Sequence, residues 1–212
     1  MFSYSFSQLF GSRSSRTALA LLSSALISVF LTSVPAHAAL ISTGACNNDP
    51  LSQPFARWHD SNNYELVAGG DFEGSLAGWT LSHGAKLVSG SEPYGVTGRV
   101  GEYSLQVPAG GSVQSPYTCV NASDPIFRFF AKNSGLLSTT IVQVVYKTAL
   151  GEVALPLGAV ALQGSWGPTL PMLTGSVLTG LLSGGTAEAA LRFTELTGSS
   201  QIDDIFIDPR MR

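Results

Sequence analysis

The sequence predicts an all-β fold of two packed antiparallel sheets, and three observations predict it. Apolar residues recur at a period of two in short segments, as in Tyr103, Leu105 and Val107 between Ser104 and Gln106. Glycine and turn-forming clusters such as Pro108-Ala109-Gly110-Gly111 separate those segments. Only 12% of the 212 residues are charged, while 23 are glycine, a composition that suits a sandwich with many turns better than a helical protein.

Taken in order, residues 1–38 read as a cleaved signal peptide. Arg13 and Arg16 form a modest positive region, Ala18 to Val34 is apolar, and Pro35-Ala36-His37-Ala38 supplies an A-x-A cleavage signal. Five serines and threonines interrupt the apolar stretch, which falls short of the roughly 20 apolar residues a membrane span requires. Cys46 lies too far beyond that stretch to serve as a lipoprotein cysteine. The chain is therefore expected to be secreted and extracellular, with no membrane span after processing.

Residues 39–63 hold turn formers such as Asn47-Asn48-Asp49-Pro50 and read as an irregular extension laid across the body of the domain. Residues 64–212 form that body, the size of one domain. Strands are expected at Tyr64 to Val67, at Trp79 to Leu81 paired with Lys86 to Val88, and at Tyr103 to Val107. Phe127 and Phe129 face one way and Arg128 the other. Val142 to Tyr146, Val153 to Leu157, Ala189 to Thr194 and Ile202 to Asp208 follow. Val177 to Ser183 reads as strand and loop, because Gly175, Gly180, Gly184 and Gly185 disfavour a long helix.

Without the first 38 residues the chain keeps nine Lys and Arg against 14 Asp and Glu. The basic residues are scattered singly, which argues against a nucleic-acid partner. Cys46 and Cys119 are the only two cysteines. In an oxidising compartment they are expected to form one disulfide, the alternative being two free or intermolecular thiols. No catalytic site is expected. His59 and His83 lack metal-ligand spacing, and neither a G-x-S-x-G elbow nor a phosphate-binding glycine loop occurs.

Two further stretches stand out. Tyr64-Glu65-Leu66-Val67-Ala68-Gly69-Gly70-Asp71-Phe72-Glu73 is followed by Gly78-Trp79, and near the other end stands Ile202-Asp203-Asp204-Ile205. Carboxylates in apolar settings at both ends of a fold need a counter-charge. Over residues 64–208 this pattern resembles the jelly-roll carbohydrate-binding modules of the galactose-binding-like group, which open "N-G-D-F-E … G-W" and close "I-D-D-V". With Phe127-Arg128-Phe129-Phe130-Ala131, the whole mature chain also resembles a group of uncharacterised secreted bacterial proteins.

The first resemblance implies a jelly-roll sandwich and a structural calcium ion held by Glu73 and Asp203. The alternative has Asp203 and Asp204 facing solvent at an edge while Glu73 caps a turn. It also implies that Trp79 packs in the core, and that aromatic rings on loops contact sugar. Tyr94 and Trp166 lie in loop-forming surroundings and are the candidates, with Trp58, Tyr103 and Tyr117 as the remaining rings. The function expected is a secreted, non-catalytic binding module for a carbohydrate or cell-envelope glycan; the alternative is a structural or protein-interaction domain without a sugar site. Tyr94 and Trp166 close together on one exposed face would favour the first, and their separation the second.

Overall fold

The computed structural model describes residues 50–121, 126–134, 137–148, 150–174 and 186–208, all within one compact unit, Ala38–Arg212. Val177 to Ser183 lies outside the described residues. The strands run in chain order as β1 (Leu51–Ser52), β2 (Tyr64–Leu66), β3 (Thr80–Ser82), β4 (Lys86–Ser89), β5 (Tyr103–Pro108), β6 (Ser112–Gln114), β7 (Thr118–Asn121), β8 (Ile126–Asn133), β9 (Thr139–Thr148), β10 (Gly151–Ala161), β11 (Gly167–Pro168), β12 (Met172–Leu173), β13 (Thr186–Thr197) and β14 (Ser199–Asp208). A single turn of 3-10 helix, Ala56–Trp58, precedes β2. Among the described residues no helix is long and apolar enough to cross a membrane.

Every strand pairing among these residues is antiparallel, and the strands form two sheets. One sheet runs β10-β9-β13-β6-β3, with β7 beside the first half of β13. The other runs β1-β2-β14-β5-β4, with β8 along the second edge of β14 and β11 and β12 on β8. The fold is the expected all-β, two-sheet jelly-roll sandwich. The expected pairing of β3 with β4 does not form. β3 pairs with β6 and β4 with β5, in opposite sheets. His83 and Gly84, at φ +50° and +87°, turn the chain between them from one sheet to the other.

The main core lies between the sheets. Leu105, Val113, Phe127, Phe129, Val142, Val144, Leu191, Phe193, Ile202 and Ile205 all bury there, as their period-two spacing requires. Ile202 and Ile205 break that spacing, because residues three apart on a strand face opposite ways. A β-bulge between Asp203 and Phe206 corrects it. Asp204 adopts φ +44° in this bulge, a conformation Asp tolerates better than bulky residues. The bulge also marks where β14 changes partner, from β5 at Ser199–Ile202 to β2 at Phe206–Ile207. The gap is closed by Val67 and Gly70, which bond Ile205 through N–H and C=O. A Cβ on Gly70 would sit 2.9 Å from the Val67 carbonyl oxygen and 3.1 Å from that of Ile205, so only glycine fits.

A second apolar layer lies outside the sandwich. Phe130 and Phe206 point away from the main core and, with Ile126, are covered by Phe55 and Tyr64. Residues 50–63 are thus more ordered than an irregular tail. β1 pairs with β2, and Phe55 is fully buried, edge-on to Tyr64 at 4.8 Å and stacked on Phe130 at 5.4 Å. Arg128 faces this layer. Its guanidinium lies 4.3 Å from the Phe55 ring centroid and pairs with Asp60 at 2.6 Å.

Candidate functional site

Beside the second layer an open groove of about 820 Å³ runs along the edge of the sandwich. β8 contributes Arg128 and Ala131, β10 contributes Val160, β12 contributes Met172, and the connection from β10 to β12 contributes Gln163, Ser165, Trp166 and Leu170. Trp58, from the extension, closes one side. This volume and mixture of apolar walls with a few polar groups are those of a ligand site.

Trp166 lines this groove, whereas Tyr94 does not line it but reaches the Trp166 loop, although 72 residues separate them. The Tyr94 hydroxyl donates to the Trp166 carbonyl at 2.8 Å. Tyr94 also packs edge-on against Trp58, ring centroids 4.9 Å apart, and both touch Phe130. Trp58, Tyr94 and Trp166 are each half-buried. Tyr103 and Tyr117 do not line the groove. Tyr117 instead donates to Glu152, which also accepts from Arg192 on the other sheet.

The loop carrying Tyr94 is fastened by carboxylates. Asp203 Oδ2 accepts from the Ser91 hydroxyl at 2.6 Å and from the Glu92 N–H at 2.9 Å, and its Oδ1 accepts from the Asp204 N–H. Glu92, fully buried, accepts from the N–H groups of Tyr94 and Val96. Burial pushes the Asp203 carboxyl up to about 7, against the pull of these donors. Asp204 rises to about 9, chiefly through burial and then through the charges of Asp203 and Glu92. The solvent-edge alternative for these aspartates does not hold, because both are buried in the sheet.

Glu73 stands apart from Asp203 in role. Its Oε1 accepts from the N–H groups of Glu102 and Tyr103 at 2.7 and 2.8 Å. It lies so close over the backbone that a Cβ on Gly101 would come within 2.5 Å. Both expected calcium ligands therefore point oxygens at hydrogen-bond donors. Among the described residues no group of three or more His, Cys, Asp or Glu side chains is placed to hold a metal ion. The oxygens that crowd together are those of Glu92, Asp203 and Asp204, with the charge of Asp71 also felt at Asp204.

Trp79 is 8% exposed in the main core, edge-on to Phe72, with its indole N–H donated to the Ala68 carbonyl. No cysteine among the described residues is free. Cys119, in β7, is disulfide-bonded, and its expected partner Cys46 lies outside the described residues. Sequence reasoning named Trp58 only among the remaining rings and did not reach Arg128 or Phe130 as parts of a site. The available signal was the run Phe127-Arg128-Phe129-Phe130, in which an aromatic shares the arginine's face and marks that face as covered.

No protein-family model and no curated protein matches the chain. Solved structures do resemble it. The C-terminal family 22 carbohydrate-binding module of a Clostridium thermocellum xylanase is 18% identical over 72% of this chain and 98% of its own, with a TM-score of 0.43. A Paenibacillus barcinonensis family 22 xylan-binding domain is 15% identical over 68% and 93%, TM-score 0.41. A Clostridium thermocellum family 11 carbohydrate-binding module, solved with a mixed-linked tetrasaccharide, is 15% identical over 70% and 97%, TM-score 0.41. Against a two-module Clostridium thermocellum xylanase fragment solved with xylohexaose, this chain spans 27% of the other's length.

Proposed function

We propose that the chain is a secreted, non-catalytic module that binds carbohydrate in the groove beside Trp58, Tyr94 and Trp166. The observation that carries this is the pair of indoles, Trp58 and Trp166, lining one groove, with the Trp166 loop fastened by the Tyr94 hydroxyl. A pyranose ring presents an apolar face of C–H groups and an equator of hydroxyls. An indole matches the face, while the exposed Gln163 and Ser165 offer donors and acceptors for the hydroxyls. The non-catalytic part of the proposal rests on the sequence, which carries no G-x-S-x-G elbow and no phosphate-binding glycine loop.

Titration calorimetry against a panel of soluble oligosaccharides tests it. Trp166→Ala is expected to weaken binding about tenfold or more, a factor of ten being 1.4 kcal/mol. Undiminished binding by a folded Trp166→Ala protein would refute the groove as the site. One observation favours a second reading, a protein partner. Leu170 and Leu173, beside the same groove, are 82% and 68% exposed. Export is proposed on the N-terminal pattern, and a mature protein beginning at Ala39 would support it.

Calcium at Glu73 and Asp203 is proposed on the sequence pattern alone, since both side chains turn oxygens onto hydrogen-bond donors.

A further inference from the structure

We propose that the glycan held in this groove is anionic, a carboxylate-bearing uronic acid oligomer; this rests on the carbohydrate reading above. Two cations lie next to the groove, each over an indole that lines it, Lys132 over Trp166 and Arg57 over Trp58. Lys132 Nζ lies 4.9 Å from the Trp166 ring centroid. The Arg57 guanidinium lies 5.0 Å from the Tyr94 ring and 5.7 Å from that of Trp58. Among the described residues neither forms a salt bridge, nor do Lys86 and Arg99 away from the groove, whereas Arg128, Lys147 and Arg192 each do.

The nearby carboxylates are engaged elsewhere. Asp60 accepts from Arg128 and the Tyr64 hydroxyl. Glu92 turns both oxygens onto the backbone of its own loop. Opposite Lys132 on β14 stands Gln201, which is neutral. The chain carries a net charge of −3, so two uncompensated cations on the rim run against its general charge.

A neutral glycan gains little from this arrangement. A uronate offers an apolar ring face to the indole and a planar carboxylate to the cation beside it. Charge-assisted hydrogen bonds of that kind are about twice as strong as neutral ones. A cation seated on an aromatic ring is already held in place and loses little freedom on pairing. The rings thus select a pyranose, and Lys132 with Arg57 select its acid form.

The test pairs each acidic probe with its neutral counterpart in chelator-containing buffer, which removes any bridging metal. Oligogalacturonate, oligomannuronate and a glucuronate-containing glycosaminoglycan fragment are titrated beside their carboxyl-reduced forms. At least one acid form is expected to bind about tenfold or more tightly than its reduced form, and to weaken as salt rises. Lys132→Gln and Arg57→Gln should each remove most of that preference at unchanged melting temperature, while Lys147→Gln on the other sheet leaves it intact. Equal binding of acid and reduced forms would overturn the anionic inference and leave the carbohydrate reading standing. Failure of every probe, acidic and neutral, would overturn both. A preference untouched by both variants would overturn the assignment to Lys132 and Arg57.

Discussion

Replacing Phe55 with alanine should unseat the extension while leaving the sandwich folded. Phe55 is fully buried and meets three rings, at 4.8 Å (Tyr64), 5.4 Å (Phe130) and 5.6 Å (Phe206). Truncating a buried phenylalanine costs about 3–5 kcal/mol through lost transfer and a residual cavity. The residues it anchors make few other bonds. The 3-10 turn depends on Trp58 and Asp60 N–H groups bonding the Phe55 carbonyl and on His59 bonding Ala56. That loss should therefore appear first as local opening of residues 53–63. Hydrogen exchange at the Trp58, His59 and Asp60 amides is expected to accelerate by about two to four powers of ten, one power per 1.4 kcal/mol. Strand β9 amides should change far less. The groove loses Trp58 as a wall, so any ligand should weaken in parallel. Trp79→Ala removes a ring from the main core instead, and should lower protection throughout. Unchanged protection at Trp58 in the Phe55→Ala protein would refute the second layer as a source of stability.

Other outcomes follow from single contacts. Non-reducing peptide mapping is expected to join Cys46 to Cys119, a bridge worth roughly 4 kcal/mol in the chain-entropy model; quantitative alkylation of both thiols in native protein would exclude it. Chelation is expected to lower the melting temperature of protein prepared with calcium, by mass action on the folded state, and Asp203→Ala should abolish the response. No shift on chelation would remove calcium from the account. At Asp60, burial pushes the carboxyl up, but hydrogen bonds from Tyr64 and Arg128 outweigh it and hold the pKa below the usual aspartate range. Its contribution is present above the unfolded value near 4 and is lost as pH falls through the lower folded value. Wild type should therefore lose more stability than Asp60→Asn between about pH 5 and 2, and equal losses would discount the pair.

The sandwich was legible because its signal is local. Period-two alternation assigns β5, β9 and β13 and their inward faces directly. The β3 to β4 crossing was not, since the turn at His83-Gly84 reads the same whether the flanking strands pair or part. The outer layer was obscured for a different reason. Arg128 looks like the solvent side of an alternating strand until a segment some 70 residues earlier supplies Phe55 and Asp60 to cover it. That pairing is long-range, and no periodicity encodes it. Tyr94 and Trp166 were recognisable as loop aromatics by their proline and glycine neighbours, but their meeting joins two loops 72 residues apart in sequence.

The Ile202-Asp203-Asp204-Ile205 stretch connects these two levels. Its isoleucines both need the core, and three-residue spacing forces a bulge. The bulge puts Asp204 at positive φ and leaves Asp203 buried with its oxygens free for donors off the strand. Those donors are Ser91 and Glu92, whose own carboxylate then orders the amides of Tyr94 and Val96. Tyr94 in turn fastens the Trp166 loop through its hydroxyl. A packing demand at two isoleucines is thereby converted, through three hydrogen-bonded steps, into the position of Tyr94 and of the Trp166 loop at the groove. Asp203→Asn keeps the shape and one acceptor oxygen but weakens the grip on Ser91 and Glu92. It should displace Tyr94, read as a change in tyrosine and tryptophan near-ultraviolet circular dichroism, with the β-sheet signal retained. Unaltered aromatic signals in a folded Asp203→Asn protein would show that the loop stands without the bulge, and that the aspartates serve only the counter-charge at that end of the sandwich.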